Sequence, residues 1–386
     1  MQSVAVGWQV YEITHRPLDL GLTGLVQFLP GVLLFLVAGH VTDRFDRRKL
    51  LSLCYVGFAT ASALLLFVTL NQEALHRSGS VKPIFAILFL VGAVRTFSMP
   101  SSRALLPQLV PEEHFQNAVA WNSSMFQFAT ILGPAMGGLL YAFFRGPAAV
   151  YGTALVAALI AFCFTLRIKT ESKPRAHEPF SLKAVFAGFH YIWAHKLVFG
   201  SISLDLFAVL LGGAVALLPV YAKEILQTGP WGLGLLRSAP GIGAATMALL
   251  LAYKPIRKRA GATMLWCVGG FGVFTMVFGF SKSLPLSLVS LLFVGAADMV
   301  SVVVRGVLIQ IETPDEMRGR VNAVDMIFIG ASNELGEFES GLAAQYLGAV
   351  PAVVLGGAGT ILVTFLWAYL FPQLRRANSL TRNSVP

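Results

Sequence analysis

Ionisable side chains interrupt several long apolar stretches, and six of them are the candidates with which the chain would do chemistry. Arg95 stands about twelve residues into 83–102, and Asp298 about thirteen residues into 285–309. Asp205 lies in SISLDLFAVLLGGAVALLPVYA, and Glu334 and Glu337 are one helical turn apart in SNELGEFESG. Arg305 follows Asp298 by seven residues, on the same face of a helix. An ion is costly in hydrocarbon and marks function there. A carboxyl group in a water-poor cavity holds a proton more readily than in bulk water and releases it when water arrives. The set therefore reads as proton coupling and substrate recognition. The plainer reading is internal salt bridges, such as Arg95 with a carboxylate, that keep helices in register. Asp298 is expected to carry the proton with Arg95 as its modulator. Asp205 and the Glu334/Glu337 pair are the competing candidates, and Gln9 and Glu12 are further ones.

The elements that must position these residues are membrane spans. The chain is 56% hydrophobic and 12% charged, with a mean hydropathy of +0.70, against roughly 25% charged residues in soluble domains. Unbroken apolar runs suit helices and not the alternating polarity of a barrel. A span takes about 20 residues, and eleven runs qualify: 21–41, 50–70, 83–102, 117–143, 147–167, 197–221, 231–252, 261–281, 285–309, 323–347 and 351–371. Residues 1–12 are apolar but too short to cross about 30 Å at 1.5 Å per residue. They read as the second half of a first helix, whose beginning is expected to be encoded upstream.

Charge fixes sidedness. Of the 29 Lys and Arg, 19 fall in inner loops and the C-terminal tail, 6 in outer loops and 4 within spans. This is a positive-inside pattern, and it leaves no basic domain for a nucleic acid despite the net charge of +10. On this topology 13–20, 71–82, 144–146, 222–230 and 282–284 are outside, and 42–49, 103–116, 168–196, 253–260 and 310–322 are inside. Cys54, Cys163 and Cys267 have no disulfide or metal spacing. No zinc pattern and no Walker A sequence occurs, so no metal, cofactor or ATP site is expected.

Two motifs go beyond topology. The inner turn GHVTDRFDRRK packs Arg44, Arg47, Arg48 and Lys49 around Asp43 and Asp46. Asp43 sits at a helix C-terminus, which disfavours an anion, so a cationic partner is expected. The second motif is ILGPAMGG, where Gly133, Gly137 and Gly138 allow close helix approach and Pro134 forces a bend. The sequence also repeats. At an offset of 210, Tyr11, Gly24, Leu25, Pro30 and Gly31 recur as Tyr221, Gly234, Leu235, Pro240 and Gly241. At an offset of 203, Pro111 and Glu113 recur as Pro314 and Glu316, and Arg95 falls on Asp298.

These residues resemble the major facilitator superfamily of secondary transporters. Gly39, Asp43, Arg44, Arg47 and Arg48 match its loop signature between helices 2 and 3, although Asp46 replaces the usual second Gly. Gly133, Pro134, Gly137 and Gly138 match its antiporter motif on helix 5, with Ala replacing the first two Gly. VQFLPGV, FSMPSSRALLPQLVPEEHFQNAVAWNSS and AGFHYIW are similar to its branch of enterobactin exporters and macrolide-efflux-like proteins. The resemblance implies an all-α integral membrane fold of two six-helix parallel repeats, with helix 1 clipped. Its bundles would be 1–167 and 197–372, joined by a cytoplasmic linker with an interfacial amphipathic helix, 168–196, and followed by a cytoplasmic tail, 373–386. It implies a monomeric, non-enzymatic, proton-coupled exporter of a siderophore, drug or similar metabolite in the bacterial inner membrane, with the site between the halves. An importer, a lipid flippase or a non-transporting sensor on the same fold are the alternatives.

Overall fold

The structure is a computed structural model and describes residues 1–71, 80–168, 182–256 and 258–377. Its chain is helical throughout these residues. In order, the helices are α1 Gln2–Thr14, α2 Pro17–Arg44, α3 Arg47–Leu70, α4 Lys82–Leu105, α5 Phe115–Phe143, α6 Ala148–Arg167, α7 Leu182–Ala194 and α8 Lys196–Gly212. They continue as α9 Gly229–Tyr253, α10 Ala260–Phe280, α11 Leu284–Glu312, α12 Asp315–Leu347, α13 Ala349–Leu370 and α14 Pro372–Arg376. Ten helical stretches among the described residues are long and apolar enough to cross a membrane. The expected span 323–347 is absent from those ten. It belongs to α12, whose 33 residues reach about 50 Å at 1.5 Å per residue but carry too many charges to qualify by composition.

The helices outrun the expected boundaries because polar ends extend apolar cores. The expected loop 13–20 shrinks to His15–Arg16, with Pro17 preset for the first turn of α2. The loop 42–49 shrinks to Phe45–Asp46. Most of 310–322 is helical, with Thr313–Pro314 alone between α11 and α12. One expected span is discontinuous. The run 197–221 breaks at Gly213 into a 3₁₀ turn Ala214–Leu217, a turn Leu218–Val220 and a π-helical turn Tyr221–Ile225. The charged part of the linker, 169–181, and the tail beyond 377 lie outside the described residues.

The chain forms two compact units. One comprises Met1–Ser181 with Gly229–Gly234, the other Leu182–Thr228 with Leu235–Pro386. In the first unit α2 packs on α4, and α3 on α4 and α6. Gly92 leaves no room for a Cβ against the backbone of Gln27, so α4 and α2 touch backbone to backbone. The second unit is built around α8, which contacts α12 and α13 and places Leu204 and Ala208 in a core with Met264, Val268, Val300, Val304 and Leu308. There Gly295 on α11 meets Pro240 of α9, and Gly243 on α9 meets Leu292 of α11, with no space for side chains.

Candidate functional site

The embedded charges of the second unit converge on one arginine. Arg305 is 2% exposed and its Nη1 lies 3.0 Å from Asp205 Oδ2 and 3.0 Å from Asp325 Oδ1. Three helices, α8, α11 and α12, are thereby tied together. Ser301, one turn before Arg305, donates its hydroxyl to Asp205 Oδ1 at 3.4 Å. Heptad spacing on α11 puts Asp298, Ser301 and Arg305 along one stripe, and all three lie beside Asp205. Asp298 is half-buried and close enough to Asp205 and Arg305 to feel both charges. Among the described residues no ion pair engages Asp298.

These groups open onto a cavity of about 200 Å³ lined by Asp205, Asp298, Arg305 and Glu337 together with Asn333, Ser332, Phe271, Phe278 and Pro240. The broken end of α8 contributes Gly212, Gly213, Ala214 and Val215. At Gly213 the backbone leaves helical geometry (φ −70°, ψ 58°), and the carbonyls of the last turn lose the amides that would continue the helix. The break is wedged in place by close contacts: Gly336 of α12 meets Leu210 and Val209, and Gly356 of α13 meets Leu211. A helix C-terminus carries partial negative charge, and here it faces the cavity wall. Arg237 on α9 acts electrostatically on Glu337, and its Nε is buried with no acceptor among the described residues.

Sequence reasoning placed Asp205, Asp298, Arg305 and Glu337, and these four come together. Glu334 is half-buried on the same helix but does not line the cavity. Arg95 lies in the first unit on α4, exposed. The cation beside Asp298 within its own unit is Arg305. Asp325 and Arg237 were missed as candidates. Both are ionisable residues inside apolar runs, the signal used for the others, but each lies only a few residues from an expected boundary.

The basic turn is a set of helix caps. Asp46 accepts from the backbone amides of Arg48 at 2.9 Å and Lys49 at 3.3 Å, so it is the N-cap of α3. An N-cap aspartate explains the departure from a second glycine. Arg47 Nη1 donates to Ala104 O at 3.2 Å and Arg48 Nη2 to Leu166 O at 2.6 Å, cations at the C-terminal ends of α4 and α6. Arg44 is exposed at the end of α2, where Gly39 and Asp43 are also helical; the side chain of Asp43 lies outside the described set.

The glycine run of α5 is a contact surface. Gly137 leaves no space for a Cβ against the backbone of Met1, and Gly138 none against Pro230 and Gly234. A Cβ at Gly133 would lie 3.4 Å from Met1 N, and Pro134 presents its carbonyl to Gly234. Gln9 is 2% exposed and is held by Tyr151, which donates to its Oε1 at 2.7 Å, and by Thr69, which accepts from its Nε2 at 3.1 Å. Tyr141 donates to Glu12 at 3.0 Å. Gln9 is thus a neutral group with its partners in place, and Glu12 is paired with a phenol.

A family model described as transmembrane secretion effector matches residues 1–386. The enterobactin exporter EntS of Escherichia coli O1:K1 / APEC is 26% identical over 377 residues, which is 97% of this chain and 88% of that protein. EntS of Shigella boydii serotype 18 matches with the same identity and coverage. Among solved structures, a mutant of the nucleoside transporter NupG aligns with a TM-score of 0.68 at 13% identity, over 96% of this chain and 97% of that one. The xylose transporter XylE from E. coli, inward open, aligns at 0.67 and 14% identity, over 96% and 94%. A bacterial homologue of the iron transporter ferroportin aligns at 0.66 and 15%, over 97% and 95%.

Proposed function

The chain belongs to the transmembrane secretion effector family of the major facilitator superfamily, and we propose that it drives export by exchanging substrate for protons carried on Asp298. It is a multi-pass membrane protein and a secondary transporter that exports a small molecule. The observation that carries the proposal is the division of labour around Arg305. Asp205 and Asp325 are committed to the guanidinium at 3.0 Å each, whereas Asp298 lines the cavity with no ion pair among the described residues. A carboxylate engaged by an arginine is occupied, and one facing a cavity can meet water and trade a proton.

In this mechanism the site opens to each side of the membrane in turn. Asp298 takes a proton from outside as substrate leaves and releases it inside, where substrate loads. Arg305 keeps the local field fixed through its two carboxylates. The membrane is the bacterial inner membrane. The basic turn and the C-terminus face the cytoplasm, by the positive-inside distribution of the loops. One protomer is the functional unit. Enterobactin is the first substrate to try, because relatives export it.

The test uses everted vesicles that acidify their lumen by respiration. Radiolabelled enterobactin or a related metabolite should accumulate inside them, and nigericin, which collapses the pH gradient, should abolish the accumulation. Accumulation that survives nigericin but stops when the membrane potential is dissipated would overturn the proton assignment.

A further inference from the structure

One corner of the second unit gathers cations with no acid beside them. Its centre is the short helix α14, whose Leu374 is buried and whose Arg375 and Arg376 are exposed. Two contacts fix this helix. Gly261, at the start of α10, donates its amide to Ala377 O at 3.1 Å and leaves no room for a Cβ against the backbone of Leu374. Phe371, just before α14, packs over Gly200 of α8 and stands 5.8 Å from the ring of Phe199. The first contact brings Arg259, two residues before Gly261, to the end of α14 that carries Arg376. The second brings in Lys196, one turn before Gly200, as Arg375 is one turn beyond Phe371. All four cations are exposed, and none is in an ion pair with a described residue. No Asp or Glu occurs in 182–204, 225–297 or 340–386, the stretches that build the corner. The turn between α11 and α12 differs: there Glu312, Asp315 and Glu316 accompany Arg318, which pairs with Asp315 at 2.8 Å.

An apolar stripe leads into the corner. Leu362, Phe365, Leu366 and Tyr369 follow helical spacing on α13 and are exposed, Phe365 to 71% and Tyr369 to 81%. The stripe is about 10 Å long at 1.5 Å per residue and ends one to two turns before Arg375. Trp193 of α7, also exposed, lies 5.0 Å from Phe199 on the same corner. Tyr and Trp rings at such a depth suit the headgroup level of a bilayer. We propose that this corner binds one anionic phospholipid, its phosphate among Lys196, Arg259, Arg375 and Arg376 and an acyl chain along the α13 stripe. A free anion would use the cations and leave the stripe bare, and a neutral lipid would use the stripe and leave four cations unneutralised. An anionic lipid uses both. It also ties the start of α8, and α7 just before it, to α14. On the orientation given under Proposed function the lipid belongs to the inner leaflet.

The test needs neither that orientation nor transport, because nanodiscs offer the same lipid to both faces. Full-length protein would be placed in phosphatidylcholine nanodiscs containing a trace of photoactivatable phosphatidylglycerol or, separately, photoactivatable phosphatidylcholine with the same chains. Crosslinked peptides would be mapped by mass spectrometry. Phosphatidylglycerol is expected to label the ends of α13 and α14 and the start of α8 at least fivefold more than phosphatidylcholine does, and to show no such preference at the turn between α11 and α12. Lys196→Gln, Arg375→Gln and Arg376→Gln should each lower that preference, by up to roughly fivefold per cation lost, and Arg318→Gln should leave it unchanged. Equal labelling by the two lipids, or a preference centred on the turn between α11 and α12, overturns the inference, and this wild-type comparison needs no variant to fold. Displacement of the phosphatidylglycerol label by soluble glycerol 3-phosphate would make the corner a site for free anions and overturn the lipid assignment.

Discussion

Arg305 is one guanidinium shared by a buried carboxylate, Asp205, and a half-buried one, Asp325, and its removal isolates both. Breaking a buried pair by deleting one partner costs about 3–5 kcal/mol, whereas replacing all partners together is often close to neutral. Arg305→Met is therefore expected to lower the thermal midpoint in nanodiscs markedly. Adding Asp205→Asn and Asp325→Asn to it should restore most of the loss. A single variant as stable as the parent would show that the ion pairs at 3.0 Å do not hold α8, α11 and α12 together. The sequence announced Arg305, Asp205 and Asp298 because each interrupts a long apolar run. Asp325 was legible by the same rule but stands two residues inside an expected boundary, where a charge looks like a loop residue. With α12 beginning at Asp315 and not at 323, Asp325 stands well inside the helix, within reach of Arg305.

Element boundaries explain two further behaviours. Helix α7 shows the period of an amphipathic helix, and the structure divides its faces. Ile192 is 2% exposed and buried with Val321 and Val324 of α12, while Phe186 and Trp193 are 68% and 65% exposed. Tyr191 donates to Glu312 O at 2.7 Å and Phe189 stacks on Phe328, completing the clasp. Ile192→Ala should cost about 2–5 kcal/mol of local packing. Hydrogen exchange in α7 should then rise sharply with little change in α10, and unchanged protection in α7 would refute the docking. At the basic turn, Asp43→Asn is expected to cut transport strongly while purified protein binds substrate within a few fold of the parent. An anion at a helix end beside four cations suits a contact that changes between states. Normal transport by that variant would place Asp43 outside the switch. The break in α8 was not legible: Gly212, Gly213 and Pro219 sit in an apolar run that reads as one span. The helix ends there because close-packed neighbours, Gly336 and Gly356, fix its last turn, and tertiary contacts of that kind leave no local signal.

At the scale of the whole molecule, the repeat seen in the sequence has a packing counterpart in each unit. Gly92 presses on the backbone of Gln27 in one, and Gly295, its equivalent at the 203 offset, presses on Pro240 in the other. Pro30 and Pro240, equivalent at the 210 offset, both lie inside their helices. Chemistry does not follow the repeat. The first unit buries a neutral network of Gln9, Thr69 and Tyr151, and the second gathers Asp205, Asp298, Arg305 and Glu337 around one cavity, with Asp205 and Arg305 buried. That asymmetry is why the proposed function seeks coupling in the second unit, at Asp298. The direct test is Asp298→Asn in everted vesicles, measured in two modes with the same labelled substrate. Accumulation driven by the pH gradient should disappear, while exchange of labelled for unlabelled substrate across de-energised vesicles should persist. Full pH-driven accumulation by Asp298→Asn, with its loss in Asp205→Asn or Glu337→Gln, would contradict the account and move the proton to α8 or α12.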